Sequence, residues 1–300
     1  MYTAGVKYKA LQKEKRRYGE WSLVLGFLLF TAPIIAASFY IYDGMQTKTV
    51  LVAATETQKN PATVVETAKI EEVSQGTSGV EEKIFGQSTD GKPITGFVIG
   101  TGTDTTLMFG SIHGNEMGTA DLLNTFVKYV KSNPSSIGAN ERILVIPILN
   151  PDGYYDRTDK LNANEVNLNL NFGTSDWAMY GSEGQYAGPE AWSEAESRVL
   201  RDVVLKYLPN RMIAYHSNGS LTNPEFSDAS AELAWWYGVR SGYTYYADPA
   251  WDYSGTATKW FEETYKKAAI TIELNDHYMN DWSQNKAPML ELLGGTGGLL

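Results

Sequence analysis

The sequence predicts an α/β domain that follows a single transmembrane helix. Three short apolar runs, residues 106–112, 211–215 and 268–272, have the length and composition of buried strands. Residues 117–130 follow the first run and carry apolar residues at helical spacing. Residues 21–42 contain no charged residue and are long enough to cross a bilayer. We therefore expect an open α/β sheet beyond a membrane segment.

The amino-terminal region is predicted to anchor the chain in a membrane. Residues 1–20 form a basic tail, which the positive-inside rule places in the cytoplasm. The span 21–42 has Trp21 at one end and Tyr42 at the other as interfacial anchors. A cleaved signal peptide is the alternative, with a small-residue site at 36–38, although the apolar stretch is longer than a usual signal core. Both interpretations place the rest of the chain outside the cytoplasm.

Composition limits what lies beyond the membrane segment. Residues 43–84 show no sustained period and are predicted to form a stalk of limited order. Residues 85–300 have the length of one domain with a buried core. The chain has no cysteine, which excludes a disulfide-stapled scaffold and thiol catalysis. Its net charge of −10, without a basic stripe beyond the tail, argues against a nucleic-acid partner.

Two of the three histidines occur in sequences suited to binding a metal. His113 and Glu116 lie on the turn between the first predicted strand and its helix, and His216 follows the strand 211–215. In open α/β sheets, ligands bind at the carboxyl ends of the strands, so these side chains are expected at one edge. Two nitrogens and a carboxylate can hold a tetrahedral zinc with its fourth position left for water, which is a catalytic arrangement.

A further carboxylate, Glu273, ends the strand-like run 268–272. Beside a zinc and its water, it would be placed to take a proton from the water and pass it to a leaving amine. Considered alone, however, Glu273 is better explained as a solvent-facing residue of an edge strand.

The order of five motifs along the chain is informative. The motifs are His113-Gly-Asn-Glu116, Asn150-Pro151-Asp152-Gly153-Tyr154, Val166-Asn167-Leu168-Asn169-Leu170-Asn171-Phe172, His216-Ser217 and Thr271-Ile272-Glu273-Leu274. From about residue 85 to the carboxyl terminus, the chain resembles the zinc metallocarboxypeptidase family of carboxypeptidase A. The resemblance implies a mixed, mostly parallel twisted sheet with helices on both faces. It also implies one zinc ion bound by His113, Glu116 and His216, with Glu273 as the catalytic base and acid.

The chain departs from the family pattern in the third motif, where Asn167 replaces an aspartate and Leu170 replaces an arginine. In the family, that arginine and the residue matching Asn169 bind the terminal carboxylate of the substrate. Leucine offers neither charge nor hydrogen bonds, so Leu170 cannot bind the terminal carboxylate of a substrate as the arginine does. Two explanations are open: another cation replaces the arginine, with Arg157, Lys160 and Arg240 as candidates, or the substrate has no terminal carboxylate at this point.

Two further replacements bear on the chemistry. Lys160 occupies the position of a second family arginine, and as a point charge it can still stabilise an oxyanion. The aspartate that Asn167 replaces accepts a hydrogen bond from a zinc-binding histidine in the family. An amide oxygen can also accept that bond, but it adds no negative charge.

Resemblance also suggests residues of the substrate pocket. Trp251 occupies the position of a tyrosine that caps the substrate, and Tyr253 lies two residues away, although simple packing is the better explanation for aromatics in a tyrosine-rich stretch. Thr258 matches the position that sets side-chain preference and favours neither basic nor apolar substrates. We assign His277 no role, and we expect the connection 173–190 to lie near the rim of the active site.

These inferences predict a membrane-anchored, extracytoplasmic zinc carboxypeptidase that acts on a peptide. Prokaryotic cell-wall stem peptides are the first substrate class to consider, by analogy with small anchored family members. Two alternatives remain open: a zinc-containing module that binds peptides without cleaving them, and an amidohydrolase or deacylase acting on small N-acyl compounds.

Overall fold

The computed structural model describes residues 79–156, 160–181, 184–247 and 253–294. All of them belong to one unit, residues 71–300. The predicted transmembrane segment 21–42 lies outside the described residues, as does the predicted stalk up to residue 78. Residues 80–84, which were predicted to belong to the stalk, are instead part of the strand Val80–Gln87. Within the described ranges, no helix combines the length and apolar character needed to cross a membrane.

Eight strands form one mixed sheet in the order β1-β2-β4-β3-β5-β8-β6-β7. The strands are β1 Val80–Gln87, β2 Pro93–Ile99, β3 Asp104–Phe109, β4 Glu141–Ile146, β5 Arg211–Ser217, β6 Leu221–Pro224, β7 Thr244–Tyr245 and β8 Ala268–Leu274. Four pairings are parallel: β3 with β4, β3 with β5, β5 with β8, and β6 with β7. The other three are antiparallel: β1 with β2, β2 with β4, and β6 with β8. The expected mixed sheet is confirmed.

Six α-helices accompany the sheet in the described residues. They are α1 Met117–Ser132, α2 Pro151–Asp156, α3 Ala195–Tyr207, α4 Asp228–Ser241, α5 Ala257–Tyr265 and α6 Trp282–Gly294. Side-chain caps begin two of them: the Ser227 hydroxyl accepts from the Ser230 amide before α4, and Thr256 accepts from Lys259 before α5. Single 3-10 turns occur at Pro134–Ser136 and Leu168–Leu170.

The core has two apolar layers, one on each face of the sheet. Residues of α1, α4 and α6 pack on one face, against Met108, Ile213 and Ile270. Residues of α3 and α5 pack on the other, against Leu107 and Met212. Because helices cover both faces, every residue of β5 is buried, as is typical of a central parallel strand. Helices on both faces are therefore confirmed.

The predicted strand boundaries differ from the structure: the runs 211–215 and 268–272 extend to Ser217 and Leu274, and the first predicted strand differs at both ends. The first predicted strand, 106–112, begins at Asp104 and ends at Phe109 in the structure. Ser111, with a φ of 43°, lies in the left-handed region, which breaks the extended backbone before His113. The apolar Ile112 that suggested a longer strand is fully buried in the turn instead.

The strand order places three strand ends side by side. β3, β5 and β8 are neighbours and run parallel, so their carboxyl ends meet at one edge of the sheet. The register sets His216 on β5 directly beside Glu273 on β8. The residues that follow β3 lead into α1 at the same edge.

Candidate active site

The turn that carries His113 and Glu116 is held by hydroxyl groups. The Ser111 and Thr119 hydroxyls both donate to the Glu116 carbonyl oxygen, at 3.0 and 2.7 Å. The Ser111 amide donates to the Thr119 hydroxyl at 2.8 Å. These bonds tie the end of β3 to the first turn of α1 and fix the backbone of Glu116 at the amino-terminal cap of that helix.

The Asn150-Pro151-Asp152-Gly153 motif supports the same turn from α2. The Asn150 amide nitrogen donates to the carbonyl oxygens of Ile112 and Leu161 at 3.3 and 3.1 Å. Its amide oxygen accepts from the Gly153 amide at 2.9 Å. The fully buried Asn150 thus connects the turn that carries His113 and Glu116 to the segment that follows Lys160.

Four atoms of three buried side chains converge at the sheet edge. His113 Nδ1 lies 2.9 Å from Glu116 Oε1, and His216 Nδ1 lies 3.1 Å from Glu116 Oε2. One ligand atom from each residue falls within 4.8 Å of the others. Nitrogen and carboxylate donors at this spacing suit a single zinc ion, so the donor set fits the predicted cofactor.

Asparagines contact the far side of each imidazole. His113 Nε2 lies 3.2 Å from the Asn167 amide oxygen, as expected from the sequence. A ring that donates Nε2–H to that oxygen keeps Nδ1 free to bind a metal. His216 Nε2 lies 3.4 Å from the Asn169 amide nitrogen, and the Asn169 amide oxygen accepts from the Ala257 amide at 3.4 Å. Both contacts are long, so the Asn169 amide can turn its oxygen towards His216 Nε2 when a metal binds at Nδ1.

The three side chains are coupled through charge. Burial by itself would raise the pKa of Glu116, but the two histidines lower it well below the usual range of a carboxyl. Burial would likewise lower the pKa of His216, but the Glu116 carboxylate outweighs it and the pKa is raised. Without a metal, the buried carboxylate therefore favours a proton on the imidazole, and a bound cation would take that proton's place.

Glu273 lies beside this cluster as the penultimate residue of β8. The pKa of its half-buried carboxyl is raised to about 8, mainly by burial and also by the Glu116 charge, against the opposing charges of His216 and Lys160. A nearby divalent cation would favour the ionised form, which can then accept a proton. Because it lies beside His216, Glu273 faces the site and not the solvent, contrary to the explanation that fits the residue considered alone.

Gly219 makes room for Glu273, and the sequence analysis overlooked it. A Cβ atom at Gly219 would lie 2.6 Å from the Glu273 Cβ and 2.8 Å from its Cγ. The amides of Asn218, Gly219 and Ser220 all donate to the Leu274 carbonyl oxygen, which holds this turn against the end of β8. The Ser-Asn-Gly-Ser sequence after a strand signalled a turn, but not its contact with Glu273.

Lys160 lies close enough for its charge to lower the pKa of both His216 and Glu273. It is half-buried at the start of the segment that leads to Asn162. This location agrees with the oxyanion role suggested by resemblance, and the role itself stays a prediction. Arg157 and Trp251, predicted to contact substrate, lie outside the described residues.

The other candidate cation is engaged elsewhere. The Arg240 guanidinium on α4 pairs with Glu291 on α6 at 2.5 Å and lies 4.4 Å above the Trp236 ring. Leu170, which replaces the family arginine, is buried, with 4% of its surface exposed. Its backbone lies close to Gly255, because a Cβ atom at Gly255 would come within 2.0 Å of the Leu170 carbonyl oxygen. Of the three cations considered, Arg240 therefore already pairs with a carboxylate in this structure.

The predicted pocket residues occupy the adjoining segment. Tyr253 is half-buried before α5, and Thr258 is buried in the first turn of that helix. The Thr258 hydroxyl hydrogen-bonds the carboxyl group of Glu225, and burial raises the pKa of Glu225 to about 7. Glu225 was not among the predicted residues, since nothing in its local sequence links it to Thr258. His277, assigned no role, has its Nδ1 2.7 Å from the Ser217 hydroxyl.

Comparison with known proteins identifies relatives of the chain. Residues 67–289 match the family model described as zinc carboxypeptidase. Carboxypeptidase B from Astacus astacus is 29% identical over 163 residues, which is 45% of this chain and 54% of that protein. The match thus spans about half the length of this relative.

Solved structures share the fold. Carboxypeptidase A from Helicoverpa armigera superposes with a TM-score of 0.62 at 17% identity, over 73% of this chain and 70% of that one. Murein-tripeptide amidase MpaA from Escherichia coli O157 superposes with a TM-score of 0.59 at 20% identity, over 72% of this chain and 92% of that one.

Proposed function

Because the chain belongs to the zinc carboxypeptidase family, we propose that it is a membrane-anchored hydrolase that cleaves a peptide amide bond outside the cytoplasm. The proposed activity rests on one structural observation. The Nδ1 atoms of His113 and His216 and both oxygens of Glu116 converge beside the half-buried carboxyl of Glu273. That arrangement contains a metal-binding set and a separate group for proton transfer.

The side chains divide the work of hydrolysis. His113, Glu116 and His216 would hold the zinc, which acts as a Lewis acid and makes water nucleophilic at neutral pH. Glu273 takes a proton from the attacking water and returns it to the leaving amine. The Lys160 ammonium stabilises the negative charge that develops on the substrate carbonyl oxygen. Asn167 orients the His113 ring so that its Nδ1 faces the metal.

Cell-wall stem peptides are the substrate class that we propose. The amidase of similar fold is matched over 92% of its length, and its substrate is a murein tripeptide. Leu170, in place of the usual arginine, is consistent with a substrate end that differs from an ordinary L-peptide. A catalytic domain anchored outside the cytoplasm would meet this substrate.

A panel of tri-, tetra- and pentapeptide stems, read by mass spectrometry, tests the activity. The full-length, zinc-loaded chain is compared with Glu273→Gln, which is expected to keep zinc and lose roughly 10²- to 10⁴-fold in turnover. Glu232→Gln, which removes an exposed carboxylate on α4, is the matched control. Peptides with amidated ends show whether the terminal carboxylate is required.

Each outcome separates the candidate functions. Loss of one terminal residue that depends on Glu273 supports the carboxypeptidase. A chain that holds zinc and binds stems without cleaving them is a binding module, and Leu170 is then the first residue to examine. Faster cleavage of small N-acyl amino acids than of any peptide indicates a deacylase.

The membrane anchor requires a separate test. After expression, membrane fractionation and the intact mass of the chain distinguish the two interpretations of residues 21–42. An anchor retains the mass of the full chain in the membrane fraction, whereas a signal peptide leaves a protein that begins near residue 38. Recovery of the full-length chain in the soluble fraction would contradict both.

A further inference from the structure

Asn167 has its side-chain amide bound at both ends. Its oxygen accepts from the Asn169 amide at 3.1 Å and lies 3.2 Å from His113 Nε2. Its nitrogen donates to the Gln185 side-chain oxygen at 2.5 Å. The Asn167 backbone amide also donates to the Tyr186 carbonyl oxygen at 2.9 Å, which holds the Gln185 segment against this residue. Asn167 itself is buried.

The direction of this amide decides which His113 tautomer is stable. With the oxygen towards the ring, Nε2 carries the proton and Nδ1 keeps the lone pair that a metal needs. With the amide nitrogen towards the ring, Nε2 must accept and the proton moves to Nδ1, the atom that faces Glu116. That tautomer cannot bind zinc through Nδ1. A carboxylate at position 167 would not raise this problem, because its two ends are alike.

We propose that Gln185 is a positioning residue that locks the Asn167 amide in the orientation required for zinc binding. A reversed amide would set the Asn167 oxygen against the Gln185 oxygen and its nitrogen against the Asn169 N–H. With the Gln185 side chain unchanged, each reversed pair loses a hydrogen bond at a half-buried position, which costs free energy. Gln185 therefore compensates for having asparagine at a position where the amide can face two ways.

The inference rests on zinc binding by His113, Glu116 and His216, and its test measures metal affinity instead of turnover. Zinc affinity of the full-length chain is measured by competition with a chromophoric chelator. Removing an outer contact of a metal ligand commonly costs 10- to 100-fold in affinity, so Gln185→Leu is expected to weaken binding about tenfold. Gln185→Glu keeps an acceptor oxygen for the Asn167 amide and is expected to bind zinc close to wild-type strength.

Repeating the Gln185→Leu substitution in an Asn167→Asp variant distinguishes control of the amide orientation from a general structural role of Gln185. In Asn167→Asp, the carboxylate has no orientation to lose, so adding Gln185→Leu is expected to change zinc affinity less than twofold. An equal loss in both backgrounds would show that Gln185 only supports the loop and would overturn the proposal. So would an unchanged affinity of Gln185→Leu in the otherwise native chain.

The tautomer itself can be observed. The chain has three histidines, so selective ¹⁵N-histidine labelling gives a simple spectrum of the metal-free protein. In the native chain, Nε2 of His113 is expected to carry a proton that it donates to the Asn167 oxygen, whereas in Gln185→Leu a fraction of the molecules is expected to lack the proton on Nε2. An identical His113 pattern in both would refute the lock. A native chain that binds no zinc would refute the proposed function as well, whereas the other failures leave that function standing.

Discussion

Replacing Gly219 with alanine is expected to lower peptide turnover about a hundredfold while zinc remains bound. The new Cβ atom would lie 2.6 Å from the Glu273 Cβ, whereas ordinary contact begins at 3.4 Å, so one of the two must move by about 0.8 Å. The turn cannot move away freely, because Asn218, Gly219 and Ser220 donate to the Leu274 carbonyl oxygen at 2.8, 3.1 and 3.2 Å. Glu273 is therefore displaced instead.

A displacement of about 1 Å in a reacting group can cost about 10²-fold in rate, which sets the expected loss. The assay is the kcat of Gly219→Ala on the stem peptide that the wild-type chain cleaves best, measured beside zinc content and thermal stability. Zinc content should not change, because Gly219 does not contact the donor atoms. Gly294→Ala is the control, since a Cβ there would meet nothing within 4 Å. Wild-type turnover by a folded Gly219→Ala protein would refute the reasoning.

Three other predictions follow from the charges around the site. Lys160→Ala should lower kcat by roughly 10²-fold and raise KM less, with partial retention in Lys160→Arg; an unchanged kcat would remove Lys160 from the mechanism. Chelation of zinc should lower the thermal midpoint, since free zinc at 100 times its Kd adds about 2.7 kcal/mol, and a midpoint insensitive to chelator would contradict the metal site. Burial raises the pKa of Glu225 from 4.5 to about 7 in the folded chain, so its contribution to stability is present below pH 4.5 and lost as pH rises towards 7. Glu225→Gln should therefore raise the free energy of unfolding, measured in urea, by up to about 3 kcal/mol at pH 8 and by almost nothing at pH 4. An equal gain at both pH values would show that burial of the ionised carboxylate is not the cause.

Local sequence, together with the order of the motifs, was sufficient to single out the three residues of the candidate zinc site. His113 and Glu116 follow an apolar strand and precede an amphipathic helix, and His216 ends a second strand. Short-range pattern thus specifies both the chemistry of these side chains and their place at a strand end. The end of β3 was misjudged because Ile112 is apolar for packing in the turn, not for extending the strand.

Glu273 and Arg240 show where local pattern stops being sufficient. The strand run before Glu273 suits an edge strand as well as a central one, and only the pairing of β8 with β5 brings the carboxyl beside His216. Arg240 looked available as a charge, but its partner Glu291 lies 51 residues further along the chain. A side chain's type is local, whereas its partner depends on long-range packing.

The sequence by itself therefore predicted three of the strands, the helix that follows the first of them and the residues able to bind zinc, because periodicity and side-chain chemistry are properties of short segments. Only the tertiary structure decided that β3, β5 and β8 lie side by side, that Gly219 leaves room for Glu273, and that Gln185 meets Asn167. The physical reason is that these contacts join segments through strand order and loop packing. Strand order and loop packing depend on the free energy of the whole domain, so they produce no periodic pattern in the sequence of any single segment.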